Sequence, residues 1–275
     1  MAEFMHGDTI VYYEIQGEGK PIFIIHGWGM DHKIMSGCLE PVFAKKDNLF
    51  KRIYIDIPGM GQSKAGREIK TSDDILKILI ATIDFLLPKQ DFLLIGESYG
   101  GYLARGLVRH LFSRVLGLIL ICPLIYPGNR AGRVVPLTVL EKDDAFLCTL
   151  SQEERQSFEY LNVILTKKVW DRFKEDIYGA LLSQNSYFLN EVLDGNFSFN
   201  VDELNEFFSK PCLILTGKQD TEVGYIDQFE LLKNYTGATY IALNRAGHNL
   251  QIEQPEMFSK IIDTWLDDNL QEFFI

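Results

Sequence analysis

The feature that most constrains the fold is a rhythm of short apolar bursts, each the length of a strand, separated by segments with helical spacing. The bursts are TIVYYEI (9–15), PIFIIHG (21–27), KRIYIDIPG (51–59), DFLLIG (91–96) and VLGLILICP (115–123). Each is rich in Ile, Leu, Val or aromatic residues, and several stop at Gly or Pro, which reads as buried strands ended by turns. Between them, SDDILKILIATIDFLL (72–87) opens with acidic residues and repeats its apolar positions at three- and four-residue spacing. The stretch from Ser98 to Phe112 does the same, and both are predicted helices. Strands that are apolar throughout, rather than alternating, belong to a parallel sheet covered on both faces. The predicted fold class is therefore α/β, with a mostly parallel, doubly wound sheet.

The rhythm fails after Pro123. From about Tyr126 to Phe208 the strand bursts disappear, and SQEERQSFEYLNVILTKKVWDRFKEDIYGALLSQ reads as helical, with Ser151 and Glu154 spaced as a capping box. The sheet pattern then resumes: PCLILTGKQD (211–220) as a strand, GYIDQFELLKNY (224–235) as a helix, ATYIAL (238–243) as a strand and QPEMFSKIIDTWLDDNL (254–270) as a closing helix. The expected organisation is a core domain of residues 1–124 and 209–275, interrupted by a helical lid of residues 125–208. A chain of 275 residues accommodates such an α/β body with one insertion.

Composition narrows the function classes. The formal net charge is −11, and Lys and Arg are scattered rather than banked, which disfavours a nucleic-acid partner. The longest apolar stretch, at 115–125, is far shorter than a membrane span, and residues 1–8 lack the apolar core of a secretory signal. A cytoplasmic protein with no membrane partner is expected. Cys38, Cys122, Cys148 and Cys212 show no C-x-x-C spacing and are expected to be reduced, buried thiols. No H-E-x-x-H motif or EF-hand loop is present, GEGKP lacks P-loop spacing, and GMGQSKAG is not followed by a helical pattern. A metal is not expected, and neither a P-loop nor a dinucleotide-binding pattern is present.

Within this frame Ser98, in GESYGG, lies between a buried strand and a helix. A tight strand-to-helix turn pushes such a side chain out at the carboxyl edge of the sheet, where ligands of open α/β sheets bind. The same position would suit a serine that merely caps the helix. A serine hydroxyl is a poor nucleophile at neutral pH, so it needs a base, and the base needs a group that fixes its tautomer. Of the five histidines, His6 and His110 sit in a strand and late in a helix, His26 reads as a loop-stabilising imidazole, and His32 follows a loop with no assigned role. His248, in RAGHN between the last strand and the last helix, is the candidate base. Asp220, leaving the strand of LILTGKQD, is the candidate orienting carboxylate, with Glu222 its rival. The order Ser98, Asp220, His248 is the one expected when these groups hang on successive strands of such a sheet. The backbone N–H groups of Trp28 and Tyr99 are placed to form an oxyanion hole. Glu97 is either a structural hydrogen-bond acceptor or a group that shapes the pH profile. Tyr126, Phe146, Trp170, Tyr187 and Phe188 could line a pocket or form the core of the lid.

Taken together, IIHGWGM, DIPGMGQS, GESYGG, GKQD and AGHN resemble, in order and spacing, the oxyanion segment, following loop, nucleophile elbow, acid loop and histidine loop of α/β-hydrolase-fold serine hydrolases. The resemblance spans nearly the whole chain except the lid-like insertion, and it implies the fold, hydrolase chemistry and independence of a cofactor. Serine at position 98 argues against haloalkane dehalogenase or epoxide hydrolase chemistry, in which an aspartate forms the covalent ester. HGWG departs from the H-G-G-P-G of proline iminopeptidases and from the H-G-x-G-P-G of many carbon-carbon bond hydrolases. The expected function is hydrolysis of a small or medium hydrophobic ester or thioester, the partner being a small-molecule acyl substrate. The alternatives are a carbon-carbon hydrolase acting on a vinylogous diketone with the same triad, and a ligand-binding receptor or scaffold with little turnover.

Overall fold

The computed structural model describes residues 2–46 and 48–274. The chain begins with β1 (Ala2–His6), β2 (Thr9–Gln16) and β3 (Lys20–Ile25), followed by α1 (Lys33–Phe43) and β4 (Phe50–Ile55). Next come α2 (Ser72–Leu86), β5 (Phe92–Glu97), α3 (Tyr99–Leu111) and β6 (Val115–Ile121). A long excursion carries two short strands, β7 (Glu141–Lys142) and β8 (Ile164–Leu165), four α-helices, α4 (Asp144–Leu147), α5 (Gln152–Leu161), α6 (Lys167–Phe173) and α7 (Gly179–Ser183), and two π-helical segments, Lys174–Tyr178 and Phe188–Val192. The chain then returns through β9 (Cys212–Gly217) and β10 (Ala238–Leu243) to α8 (Leu250–Glu253), α9 (Pro255–Asp268) and α10 (Leu270–Phe273).

Eight strands form one sheet in the order β1-β2-β4-β3-β5-β6-β9-β10. The β1–β2 and β2–β4 pairs are antiparallel, and every pair from β4 to β10 is parallel. The doubly wound α/β architecture is thus present. Its central strands β3, β5 and β6 are almost wholly buried, with Phe23, Leu94 and Leu120 fully excluded from solvent, and this is why they read as continuous apolar runs. Flanking helices complete the core: α2 packs on α3, and α1 on α9. The direction of winding reverses at β3, which has β4 on one side and β5 on the other. Such a switch point opens a crevice at the carboxyl ends of the strands, where HGWG leaves β3 and GESYGG leaves β5.

Several local features differ from the sequence reading. Helix α1 has no counterpart there, because Pro41 lies inside it and no side chain caps its start, so the usual boundary signals are missing. Residues 224–235 do not form an α-helix. Asp227–Lys233 is a 3₁₀-helix that buries Gln228 and Leu231, three residues apart, a spacing that a three-residue turn places on one line. The helical text from 151 onward begins at the Ser151–Glu154 capping box but breaks at Asn162, whose backbone is extended and whose side chain donates to Phe158 O. Beyond the break, Ile164 and Leu165 pair with Glu141 and Lys142 as a small parallel ladder, so this region is not purely helical. Its own core is a cluster of Phe158, Trp170 and Phe173, with ring centroids 5.3–5.7 Å apart. Cys38, Cys122 and Cys212 are buried free thiols, but Cys148 is exposed at the end of α4. No helix among the described residues is long and apolar enough to cross a membrane.

Candidate active site

The turn after β5 is sterically demanding. Ser98 takes φ +51° and ψ −116°, a left-handed backbone that a non-glycine residue adopts at a cost of order 1–3 kcal/mol. It is held there by its N–H donating to Ile121 O at 2.9 Å and by its carbonyl accepting from Leu124 N at 3.0 Å. The flanking glycines are required by close approach. A Cβ at Gly96 would lie 2.4 Å from Gly100 O, and one at Gly100 would lie 2.4 Å from the carbonyl oxygens of both Ile25 and His26. The backbone of α3 therefore runs against the end of β3, which brings the Ser98 turn beside the HGWG loop.

His248 lies in the loop between β10 and α8. Its Nε2 is 3.0 Å from Ser98 Oγ, and its Nδ1 is 2.8 Å from Asp220 Oδ2. Asp220 is fully buried, and its other oxygen accepts the N–H groups of Glu222 at 2.8 Å and Val223 at 2.9 Å. Ser98, Asp220 and His248 are thus in one hydrogen-bonded line. Glu222 enters that line through its backbone amide, not its carboxylate. Burial pushes the His248 imidazole toward neutrality, but the charge and hydrogen bond of Asp220 and the charge of Glu97 outweigh it and raise its pKa to about 9. Cys122 Sγ, a carboxylate oxygen of Asp220 and a ring nitrogen of His248 lie within 4.8 Å of one another. That carboxylate and imidazole already meet each other at 2.8 Å, and the buried Cys122 forms the wall behind them.

Trp28 and Tyr99 line the same cavity and meet edge to face, with ring centroids 5.0 Å apart. Tyr99 opens α3, so its N–H has no acceptor within the helix. The loops around Trp28 are braced from behind. Asp56, just past β4, accepts the His32 N–H and contacts His32 Nδ1, both at 2.8 Å. Burial disfavours charge on His32, yet Asp56 outweighs it and raises its pKa. His26 is driven toward neutrality by burial, and its Nε2 accepts the Ile57 N–H at 3.0 Å while Nδ1 faces Gly27 O. His26 therefore stabilises the loop and does not face a substrate.

The cavity above Ser98 has a volume of about 490 Å³, within the range of small-molecule sites. Its apolar lining includes Met30 and Ile34, which follow β3, and Leu124, Leu161, Ile177, Leu189 and Leu193 of the β6–β9 excursion. Of the five aromatic residues singled out in the sequence, Trp170 and Phe188 are buried, Phe146 is half-buried, and Tyr126 and Tyr187 are exposed. Two carboxylates complete the surroundings. Glu97 lies beside His248, and Glu253 is buried beneath the histidine loop. Glu253 was invisible to sequence reasoning because the amides it accepts from, Gly247 and Val163, lie 6 and 90 residues away.

With this fold and this hydrogen-bonded line, the chain belongs to the α/β hydrolase fold family, whose sequence profile it matches over residues 20–255. It is similar to an α/β superfamily hydrolase from Oenococcus oeni PSU-1, with 30% identity, a TM-score of 0.82, and coverage of 97% of this chain and 98% of that one. It is also similar to the AB hydrolase superfamily protein YisY of Bacillus subtilis, 25% identical over 92% of this chain and 93% of that protein. Monoacylglycerol lipase ABHD6 of Bos taurus is 23% identical over 95% of this chain and 80% of the lipase.

Proposed function

We propose that this protein is a serine hydrolase that cleaves a small or medium hydrophobic carboxylic ester or thioester through an acyl-enzyme on Ser98. The observation that carries this reading is the unbroken line from Ser98 Oγ to His248 Nε2 at 3.0 Å and from Nδ1 to Asp220 at 2.8 Å. In the forward step His248 takes the Ser98 proton while Oγ attacks the substrate carbonyl, and Asp220 stabilises the imidazolium that forms. The backbone N–H groups of Trp28 and Tyr99 hold the tetrahedral oxyanion. The imidazolium then gives its proton to the leaving alcohol or thiol. Water, deprotonated by His248, attacks the acyl-enzyme and releases the acid, restoring Ser98. Residues 125–208 act as a lid, supplying the apolar wall against which the acyl chain packs. Ester chemistry is further supported by the lipase named among the relatives.

A fluorophosphonate probe tests the reading. Wild-type protein is expected to be labelled at Ser98, Ser98→Ala to lose labelling with little change in Tm, and His248→Ala to lose labelling while remaining folded. A panel of chromogenic acyl esters of graded chain length is expected to show turnover that falls once the chain outgrows the cavity. Retained ester turnover by Ser98→Ala would overturn the assignment, and a folded wild-type protein that is neither labelled nor active would point to a ligand receptor.

A further inference from the structure

We propose that Glu97 is a second carboxylate partner of His248, positioned on the Nε2 side of the ring, and that it sets the pH at which the imidazole is free to take the Ser98 proton. The inference rests on reading Ser98 as nucleophile and His248 as base. Its geometric ground is the placement of two carboxylates on opposite nitrogens of one buried ring. Asp220 Oδ2 is 2.8 Å from Nδ1, and Glu97 Oε1 is 3.6 Å from Nε2, the nitrogen that also meets Ser98 Oγ.

A purely structural carboxylate in this position would be expected to have both oxygens paired, since leaving one orphaned in the interior is costly. Glu97 is 2% exposed, and its Oε2 has no hydrogen-bond partner among the described residues. The space around that oxygen is tightly fitted: a Cβ at Gly27 would lie 2.3 Å from it. The carboxyl is therefore wedged between the HGWG loop and the imidazole, where its charge acts on the ring more than its hydrogen bonds act on the backbone.

The groups facing the pair define the direction of the effect. Burial pushes the Glu97 carboxyl up to about 7, opposed by the His248 cation and the Gly27 amide and reinforced by the Asp220 charge. Glu222, near the Asp220 turn, adds further negative charge toward His248. Cys122 at the end of β6 and Cys38 on α1 also face this region, and burial holds both thiols un-ionised. A cation on the ring thus lies between anions. An ionised Glu97 stabilises the imidazolium that forms during attack, and it also keeps the resting ring protonated to higher pH. Removing the charge should move the acid limb of the pH–rate profile to lower pH while lowering the plateau, a pair of changes that a packing role does not produce.

The test has two arms. In a Ser98→Ala background, histidine side-chain NMR follows the His248 titration directly, with no need for turnover. Adding Glu97→Gln is expected to lower its midpoint by about one pH unit or more. In the active protein, Glu97→Gln is expected to shift the acid limb of kcat/KM by a similar amount while fluorophosphonate labelling of Ser98 persists. Glu97→Asp retracts the charge from the ring and should move the midpoint the same way by less, which covers the case in which the amide variant does not fold. An unmoved His248 midpoint in a folded variant overturns the inference. If labelling and turnover are absent from wild type, the reading of Ser98 has failed instead, and the NMR arm still decides whether Glu97 and His248 are coupled.

Discussion

Glu253 accepts the N–H of Gly247 through Oε2 at 2.5 Å, one residue before His248. Its other oxygen accepts the Val163 N–H at 2.6 Å, so one buried carboxyl ties the histidine loop to the start of β8. A second tie runs from Asn249 Nδ2 to Asn162 Oδ1 at 3.1 Å. The loop carrying the proposed base is thus fastened to the proposed lid by side chains from both. Glu253→Ala would leave buried amide donors unpaired, at a cost of about 1–3 kcal/mol each. A lower Tm and a kcat reduced tenfold or more are expected, with Glu253→Gln milder because its amide oxygen still accepts one donor. Thermal unfolding and ester kinetics check this, and unchanged kcat in Glu253→Ala would show that the tie does not position His248.

Asp220 Oδ2 faces His248 Nδ1 and Ser98 Oγ faces Nε2, so in the proposed reaction Asp220 would hold the Nδ1–H tautomer and leave the deprotonated Nε2 to take the Ser98 proton. Asp220→Asn keeps the shape but removes the charge and can present an N–H to Nδ1. A fall in kcat of about 10³–10⁴-fold, with KM changed little, is expected. Steady-state kinetics decide it, and a loss under tenfold would transfer the orienting role elsewhere.

His248 binds its proton more tightly in the fold than its ordinary value near 6.5, its pKa being raised to about 9. Between pH 6.5 and 9 the folded state therefore holds more protons than the unfolded chain. The stability contributed by this group is complete below pH 6.5 and is lost as the pH rises through 9. Tm measured across that interval should fall by several degrees, and His248→Gln should flatten the decline. A wild-type Tm that does not respond to pH there would place the imidazole near its ordinary value.

Gly100 meets the carbonyl oxygens of Ile25 and His26 across the elbow, with no room for a Cβ. Gly100→Ala must push α3 away from β3, at a cost of about 1–3 kcal/mol for overpacking. Loss of Tm together with loss of Ser98 labelling is expected. Normal labelling in a folded Gly100→Ala protein would mean that the turn tolerates the displacement.

Much of the core was legible because its strands are buried on both faces and its main helices carry clear periodicity. β3, β5, β6 and β9 announce themselves as apolar runs, and α2 announces its start with the acidic residues Asp73 and Asp74 in its first turn. Elements whose form depends on neighbours were not legible. Helix α1 contains a proline that its packing accommodates, Asp227–Lys233 becomes 3₁₀ to bury two residues on one line, and the helical text after Ser151 yields at Asn162, where the next amide is claimed by Glu253. Ser98, Asp220 and His248 stood out as polar residues at the ends of strands. Glu253 did not, for it resembles any acidic residue on a short helix.

What the sequence determined by itself was the alternation of apolar runs and helical spacing, the glycines around Ser98, and the placement of polar groups after successive strands, all of them properties of neighbouring residues. What only the tertiary structure decided was distance. The reversal of strand order at β3 sets the HGWG loop beside the Ser98 turn, and parallel pairing of β9 and β10 next to β6 carries Asp220 and His248 to the same rim. Electrostatics followed from that packing, because a carboxylate such as Glu97 or Glu253 acquires its altered proton affinity from burial and from charges that lie far away along the chain.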